Sequence, residues 1–143
     1  MKNNKKAFTL IELLVVIAII GLLATLSVIA LNNARSKSRD AKRVADIKQV
    51  QTALELYFND AQRYPTAITS GASITYGSTT YMQIVPTSPT PNVATSVVGC
   101  GGTAYTYGVN ANGSSYTLGY CLEGDVNSIL GQTLQTATNA SLK

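Results

Sequence analysis

Between Leu13 and Leu31 the chain runs for nineteen residues without an Asp, Glu, Lys, Arg, Pro, Asn or Gln. As an α-helix rising about 1.5 Å per residue, that run measures roughly 28 Å, close to the ~30 Å hydrocarbon core of a bilayer. A helix that is apolar on every side has no face for water, and belongs in a membrane or among similar helices. Just before it stand Lys5-Lys6-Ala7-Phe8-Thr9-Leu10-Ile11-Glu12, with one carboxylate at the edge of the apolar run. A charge in that place is costly unless it has a partner.

The segment does not read as an ordinary secretory signal. Such a signal has an apolar core of about 7–15 residues and a small-residue cleavage step after it. Here the apolar run is longer, and Asn32-Asn33-Ala34-Arg35 follows it with no Ala-x-Ala step. The small residue, Ala7, precedes the run instead.

A short basic leader, then Phe-Thr-Leu-Ile-Glu entering an apolar helix, resembles the type IV prepilins and the pseudopilins of type II secretion. The resemblance implies that a prepilin peptidase cuts between Ala7 and Phe8 and methylates the new amino terminus at Phe8. Ala7 stands where the family usually has Gly. It also implies a role for Glu12: cleavage creates an ammonium at Phe8, and in a bundle of helices Glu12 of one chain can face the Phe8 amine of the next. An unpaired carboxylate in apolar surroundings would otherwise take up a proton. A second match lies at Tyr81-Met82-Gln83-Ile84-Val85-Pro86-Thr87-Ser88-Pro89. It is similar to the Tyr-Leu-x-x-Leu-Pro-x-Asp-Pro stretch of the major pseudopilins, with Ser88 at the Asp position. This stretch is expected to be a loop crossing the sheet, stiffened by Pro86, Pro89 and Pro91.

Charge is unevenly placed. Lys2, Lys5 and Lys6 account for three of eleven basic side chains against seven acidic ones, so leader removal would lower the net charge from +4 to +1. Arg35, Lys37, Arg39, Lys42, Arg43 and Lys48 crowd the stretch after the span, whereas from residue 64 onward the sole basic residue is Lys143. Nucleic-acid binding by the C-terminal part is poorly supported. The basic band is expected to meet anionic lipid headgroups or acidic neighbours. Basic residues flank the span on both sides, so the positive-inside rule does not orient it. The prepilin-like motif and the paired cysteines favour the leader inside and the rest outside.

Beyond Arg35, apolar residues recur at Val44, Ile47, Val50, Leu54, Tyr57 and Phe58, in helical steps of three and four. Asp40–Arg43 and Arg43–Asp46 are opposite-charge pairs at i,i+3, expected on the wet side. No Gly or Pro interrupts residues 32–63, and Tyr64-Pro65 ends the pattern. One helix from about Phe8 to about Gln62 is predicted, roughly 80 Å long at 1.5 Å per residue.

Two alternating stretches, Ala104–Asn110 and Ser115–Leu122, predict strands joined at Asn110-Ala111-Asn112-Gly113. A hairpin alone is marginal, so a third strand is expected from Ser73–Tyr76, Thr80–Val85 or the Ile129–Ala137 tail. Cys100 and Cys121 are the only cysteines. In a chain with an export motif they read as a disulfide closing a loop of about twenty residues, for which the chain-entropy model gives ~3 kcal/mol.

Catalysis has little to work with. The chain has no His, which excludes Ser-His and Cys-His triads and, with two cysteines alone, a structural zinc site. Outside the long helix the acids are Glu123 and Asp125, whose i,i+2 spacing more often leaves both facing water. No cofactor is expected. The alternative is calcium at Glu123, Asp125 and Asn127 with backbone carbonyls, since some relatives of the resembled family bind calcium in a late loop.

The expected architecture is α+β and type IV pilin-like. Residues 1–7 form a leader, 8–31 a transmembrane and filament-core helix, 32–63 its amphipathic half, and 64–143 a small antiparallel β-sheet head. The expected function is assembly rather than chemistry: a secretion-type pseudopilin, stored in the bacterial inner membrane with its head outside the cytoplasm, then polymerised into a periplasmic or cell-surface filament. Its expected partners are copies of itself, other pilins or pseudopilins, the prepilin peptidase, the inner-membrane assembly platform and the bilayer. A type IV pilus subunit is the nearest alternative, and a membrane-anchored binding domain that never polymerises is the second.

Overall fold

The computed structural model describes residues 8–91, 105–124 and 134–139. Its chain divides into two compact units, Met1–Arg35 and Ser36–Lys143, and one helix, α1 (Leu10–Ala61), contributes to both. Five strands follow: β1 (Ile74–Tyr76), β2 (Thr79–Met82), β3 (Thr106–Val109), β4 (Tyr116–Cys121) and β5 (Leu134–Thr138). The α+β class expected from the sequence is the one observed, a long N-terminal helix with small antiparallel sheets.

The helix begins and ends within two residues of expectation, for reasons written at each end. Thr9 and Glu12 form a capping box, the arrangement in which an N-cap hydroxyl and a carboxylate three residues on satisfy each other's backbone donors. At the other end Gln62 takes φ +55°, and its N–H bonds the Phe58 carbonyl at 2.8 Å. That is the left-handed cap that closes a helix before an X-Pro step. In the first unit every described residue from Phe8 to Arg35 is exposed. The Thr25 and Ser27 hydroxyls donate to the Leu22 and Leu23 carbonyls at 2.8 Å, so the helix meets its own side-chain donors without water.

In the second unit the predicted hairpin is present as β3 and β4. Tyr107 faces Leu118 and Val109 faces Tyr116. Its turn is fixed from within: Gly113 sits at φ +65° and donates to the Asn110 carbonyl, while the Asn110 side chain accepts from the Ser114 and Ser115 N–H groups. The third strand is the tail, β5, antiparallel to β4 with Leu118 opposite Ala137. The other two candidates pair with one another as β1 and β2, a separate two-stranded sheet turned at Gly77. Where Thr106 faces Gly119, an added Cβ on Gly119 would lie 2.2 Å from the Thr106 hydroxyl, so the centre of β4 has no room for a side chain.

The stripe read from the sequence is the core. Ile47, Val50, Ala53, Leu54 and Tyr57 of α1 pack with Tyr116 and Leu118 of β4, Ala137 of β5, and Tyr64, Ile74 and Val85. Leu54 is fully buried. Tyrosines make up much of the rest, and three of them keep an outlet for the hydroxyl. Tyr64 and Tyr116, with ring centroids 4.6 Å apart, both donate to Glu55 Oε1, and Tyr107 donates to the Pro65 carbonyl. Burial pushes the Tyr116 hydroxyl up to about 12 and raises those of Tyr64 and Tyr107.

Candidate assembly motif and the ion-pair hub of the head

At the start of α1, the Glu12 carboxylate accepts both the Thr9 N–H and the Thr9 hydroxyl, each at 2.8 Å, and both bonds fall on Oε2. The Thr9 hydroxyl in turn accepts the Glu12 N–H at 3.3 Å. Glu12 is therefore held by its own chain as well, a contact that the expected pairing with a neighbour's Phe8 amine did not include. Among the described residues no donor meets its Oε1. Around it Phe8, Ile11, Val15 and Val16 line a shallow, almost wholly apolar groove. Phe8 is exposed and lies outside the helix, and Ala7 falls outside the described residues.

The other concentration of charge lies within the second unit. It corrects the expectation that Asp40–Arg43 and Arg43–Asp46 lie on the wet side of the helix: Asp40, Arg43 and Asp46 are 1%, 0% and 6% exposed. The register explains it. Positions 40 and 43 continue the stripe of 47, 50, 54 and 57 by one further turn, so the core face carries charge at its upper end.

Arg43 is the centre of this cluster. Its guanidinium donates to Asp40 Oδ1 at 2.6 Å, Glu123 Oε1 at 2.8 Å, Ser88 Oγ at 3.2 Å, and the Pro89 and Pro91 carbonyls at 3.0 Å each. Asp40 accepts the Glu123 N–H at 2.9 Å and the Gly124 N–H at 2.9 Å, so its carboxylate caps that turn. Arg39 closes on Glu123 from the other side as a fork, Nε on Oε1 at 2.7 Å and Nη2 on Oε2. The Arg39 guanidinium, and Arg43 with it, holds the Glu123 carboxyl down to about 2 although partial burial works against this. Arg43 and Asp46 are not an ion pair here. Asp46 accepts the Tyr105 hydroxyl at 2.9 Å instead, and burial with that bond raises the Tyr105 hydroxyl.

Three further expectations change. Arg39 and Arg43 turn inward, so the basic band offers lipid or neighbours fewer charges than its sequence implies. Glu123 is only partly exposed, and both its oxygens are engaged by guanidinium groups. Of the calcium candidates, Asp125 and Asn127 lie outside the described residues. The Tyr81–Pro89 stretch is not a loop throughout: Tyr81 and Met82 belong to β2, Val85 is buried in the core, and Ser88 and Pro89 fold over Arg43. Cys121 lies at the end of β4, and Cys100 falls outside the described residues.

Residues 2–28 match the family described as the prokaryotic N-terminal methylation motif. The chain thus carries a prepilin-type N-terminus ahead of a helix long and apolar enough to cross a membrane. It is 43% identical over 65 residues to the type II secretion system core protein G of Aeromonas hydrophila, covering 46% of each chain. To the protein of the same name from Escherichia coli K12 it is 42% identical over 64 residues, 45% of this chain and 44% of that one. To the type IV major fimbrial protein FimA of Dichelobacter nodosus it is 36% identical over 63 residues, 44% of this chain and 39% of that one. The chain spans under half the length of these relatives. No solved structure gives a significant match.

Proposed function

We propose that this chain is a structural subunit of a type IV pilus-like filament, and specifically a type II secretion-type pseudopilin. The observation that carries the reading is the Thr9–Glu12 box at the head of an exposed apolar helix, within the matched methylation motif. Glu12 Oε2 is engaged by Thr9, and Oε1 takes the Phe8 ammonium of a neighbouring subunit once cleavage after Ala7 has created it. The capping box lets the carboxylate wait in the membrane with partial compensation. The intermolecular pair then adds to it and sets the register between helices.

In this reading the subunit is held in the bacterial inner membrane with its head outside the cytoplasm. The prepilin peptidase processes it, and the assembly platform delivers it to a filament of like subunits. The role is structural, not catalytic. Cys100 and Cys121 form a disulfide in the exported head. A type IV pilus subunit is the second reading, favoured by the similarity to the fimbrial protein of Dichelobacter nodosus.

The test separates membrane storage from assembly. Glu12→Val makes the helix more apolar, so insertion and cleavage should be retained while filament yield in sheared surface fractions collapses. Normal filaments from the Val variant would remove Glu12 from assembly. A silent substitution, with no filaments from either form although the machinery works on a control subunit, would point to a membrane-anchored domain that does not polymerise.

A further inference from the structure

Within the second unit, α1 and the three-stranded sheet leave a cleft of about 160 Å³ between them. Val44, Ile47 and Gln51 of α1, Tyr120 of β4 and Ala137 of β5 line it, together with Lys48. Strand alternation puts Tyr120 on the face of β4 that carries Leu118, the face turned to the core. Its ring packs against that core and is partly buried. Tyr64, Tyr105, Tyr107 and Tyr116 all donate their hydroxyls to an oxygen of this chain, whereas among the described residues nothing accepts from Tyr120. Burial raises the Tyr120 hydroxyl, so it remains an O–H donor at neutral pH. Lys48 is exposed, and among the described residues no carboxylate pairs with it. Gln51 is buried and spends an amide N–H on the Thr138 carbonyl at 3.2 Å.

We propose that this cleft is a docking site for one carboxylate side chain of another protein, which takes the Tyr120 O–H and the Lys48 ammonium while its methylenes lie on Val44, Ile47 and Ala137. Size decides against a free metabolite. Pockets for small molecules run to about 300–1,000 Å³, and this one has room for a single side chain. Charge decides the chemistry: a hydroxyl and an ammonium both offer donors, and a carboxylate is the side chain that only accepts. The partner is a different protein rather than a second copy. Asp40, Asp46, Glu55, Asp60 and Glu123 each already accept a hydrogen bond from their own chain. The inference rests on the second unit alone and stands whether or not the chain polymerises.

The probe is the blocked tripeptide Ala-Glu-Ala, with blocked Ala-Gln-Ala as its uncharged counterpart. Each is titrated at constant ionic strength into the full chain in a mild nonionic detergent. The readout is the NMR shift of the Val44, Ile47 and Ala137 methyl groups and of the Tyr120 ring. The Glu peptide should move these signals saturably, with a Kd on the order of several millimolar, as suits a ligand of so few atoms. The Gln peptide should bind about tenfold more weakly or not at all, because it loses a hydrogen bond to a charged group. Tyr120→Phe keeps the ring and Lys48→Met keeps the stem, and each should weaken the Glu peptide about three- to tenfold. No saturable shift, equal binding of the two peptides, or variants that bind like the wild type would overturn the proposal. A dilution series of the chain alone that moves the same signals would place a second copy in the cleft, and would overturn the assignment to a different protein.

Discussion

Replacing Arg43 with Met tests whether the buried hub holds the head together or merely decorates it. Methionine keeps an unbranched stem but removes the charge and all five hydrogen bonds. Asp40 would remain at 1% exposure with two backbone N–H donors and no cation, and two proline carbonyls would lose their donor. Breaking a buried pair from one side costs about 3–5 kcal/mol, because the surviving charge stays buried. Against a typical domain stability of about 5–15 kcal/mol, that is a large part of the whole. The assay is urea unfolding of the full chain in mild detergent, followed by near-ultraviolet circular dichroism. The midpoint should fall steeply for Arg43→Met. For Arg39→Met, whose side chain is partly exposed and screened by salt, it should fall much less. Pairing Arg43→Met with Asp40→Asn should recover about 0.5–3 kcal/mol of coupling, because the double variant no longer strands a charge. Loss of less than about 1 kcal/mol in Arg43→Met, or equal losses at Arg39 and Arg43, would refute the argument from burial.

Four more expectations follow, two from the geometry of the second unit and two from the proposed function. Glu123 is held down to about 2, so its contribution is complete above the ordinary carboxylate range and is lost as pH falls from about 5 towards 2. With the shift discounted for partial exposure, acid titration of the wild type should lose about 1–2 kcal/mol across that window, and Glu123→Gln, less stable at neutral pH, should show a flatter acid limb. Gly113→Ala should cost about 1–2 kcal/mol in thermal unfolding, since the residue sits at φ +65° with an added Cβ 3.1 Å from the Arg63 Cβ. Intact mass of protein from the native host should begin at methylated Phe8, and alkylation without reduction should leave Cys100 and Cys121 unmodified; a mass retaining Met1–Ala7, or full labelling of both thiols, would contradict these proposals.

The parts of this fold that were legible in the sequence depend on neighbours in the chain. The Ile47-Val50-Leu54-Tyr57 stripe is written in steps of three and four, and Asn110 to Gly113 carries its own turn chemistry. The hub was misread because its partners lie far away: Arg43 meets Ser88 and Glu123 at separations of 45 and 80 residues. An Asp-x-x-Arg pair looks the same on a wet face as on a buried one. One signal was available, since residues 40 and 43 continue the core stripe without a break in register. Two of the acceptors, the Pro89 and Pro91 carbonyls, belong to the backbone and leave no mark in side-chain identity. The choice among third-strand candidates depended likewise on long-range pairing, and β5 meets β4 residue for residue from Thr117–Thr138 to Cys121–Leu134.

The Thr9 cap also bears on proteolysis. A peptidase takes its substrate as extended backbone, and a bond inside a helical ladder is closed to it until the helix unwinds. By starting the helix at Leu10, the cap leaves Phe8 outside the ladder, and Thr9 joins it through its carbonyl, which accepts the Leu13 N–H. In the reading proposed above, the scissile bond lies immediately before Phe8, two residues ahead of the point where the helix begins. Thr9→Val would remove the hydroxyl that fixes this boundary, at a cost of about 1 kcal/mol to the cap. The helix could then fray or start elsewhere, and the rate of leader removal would become the reporter of where it begins.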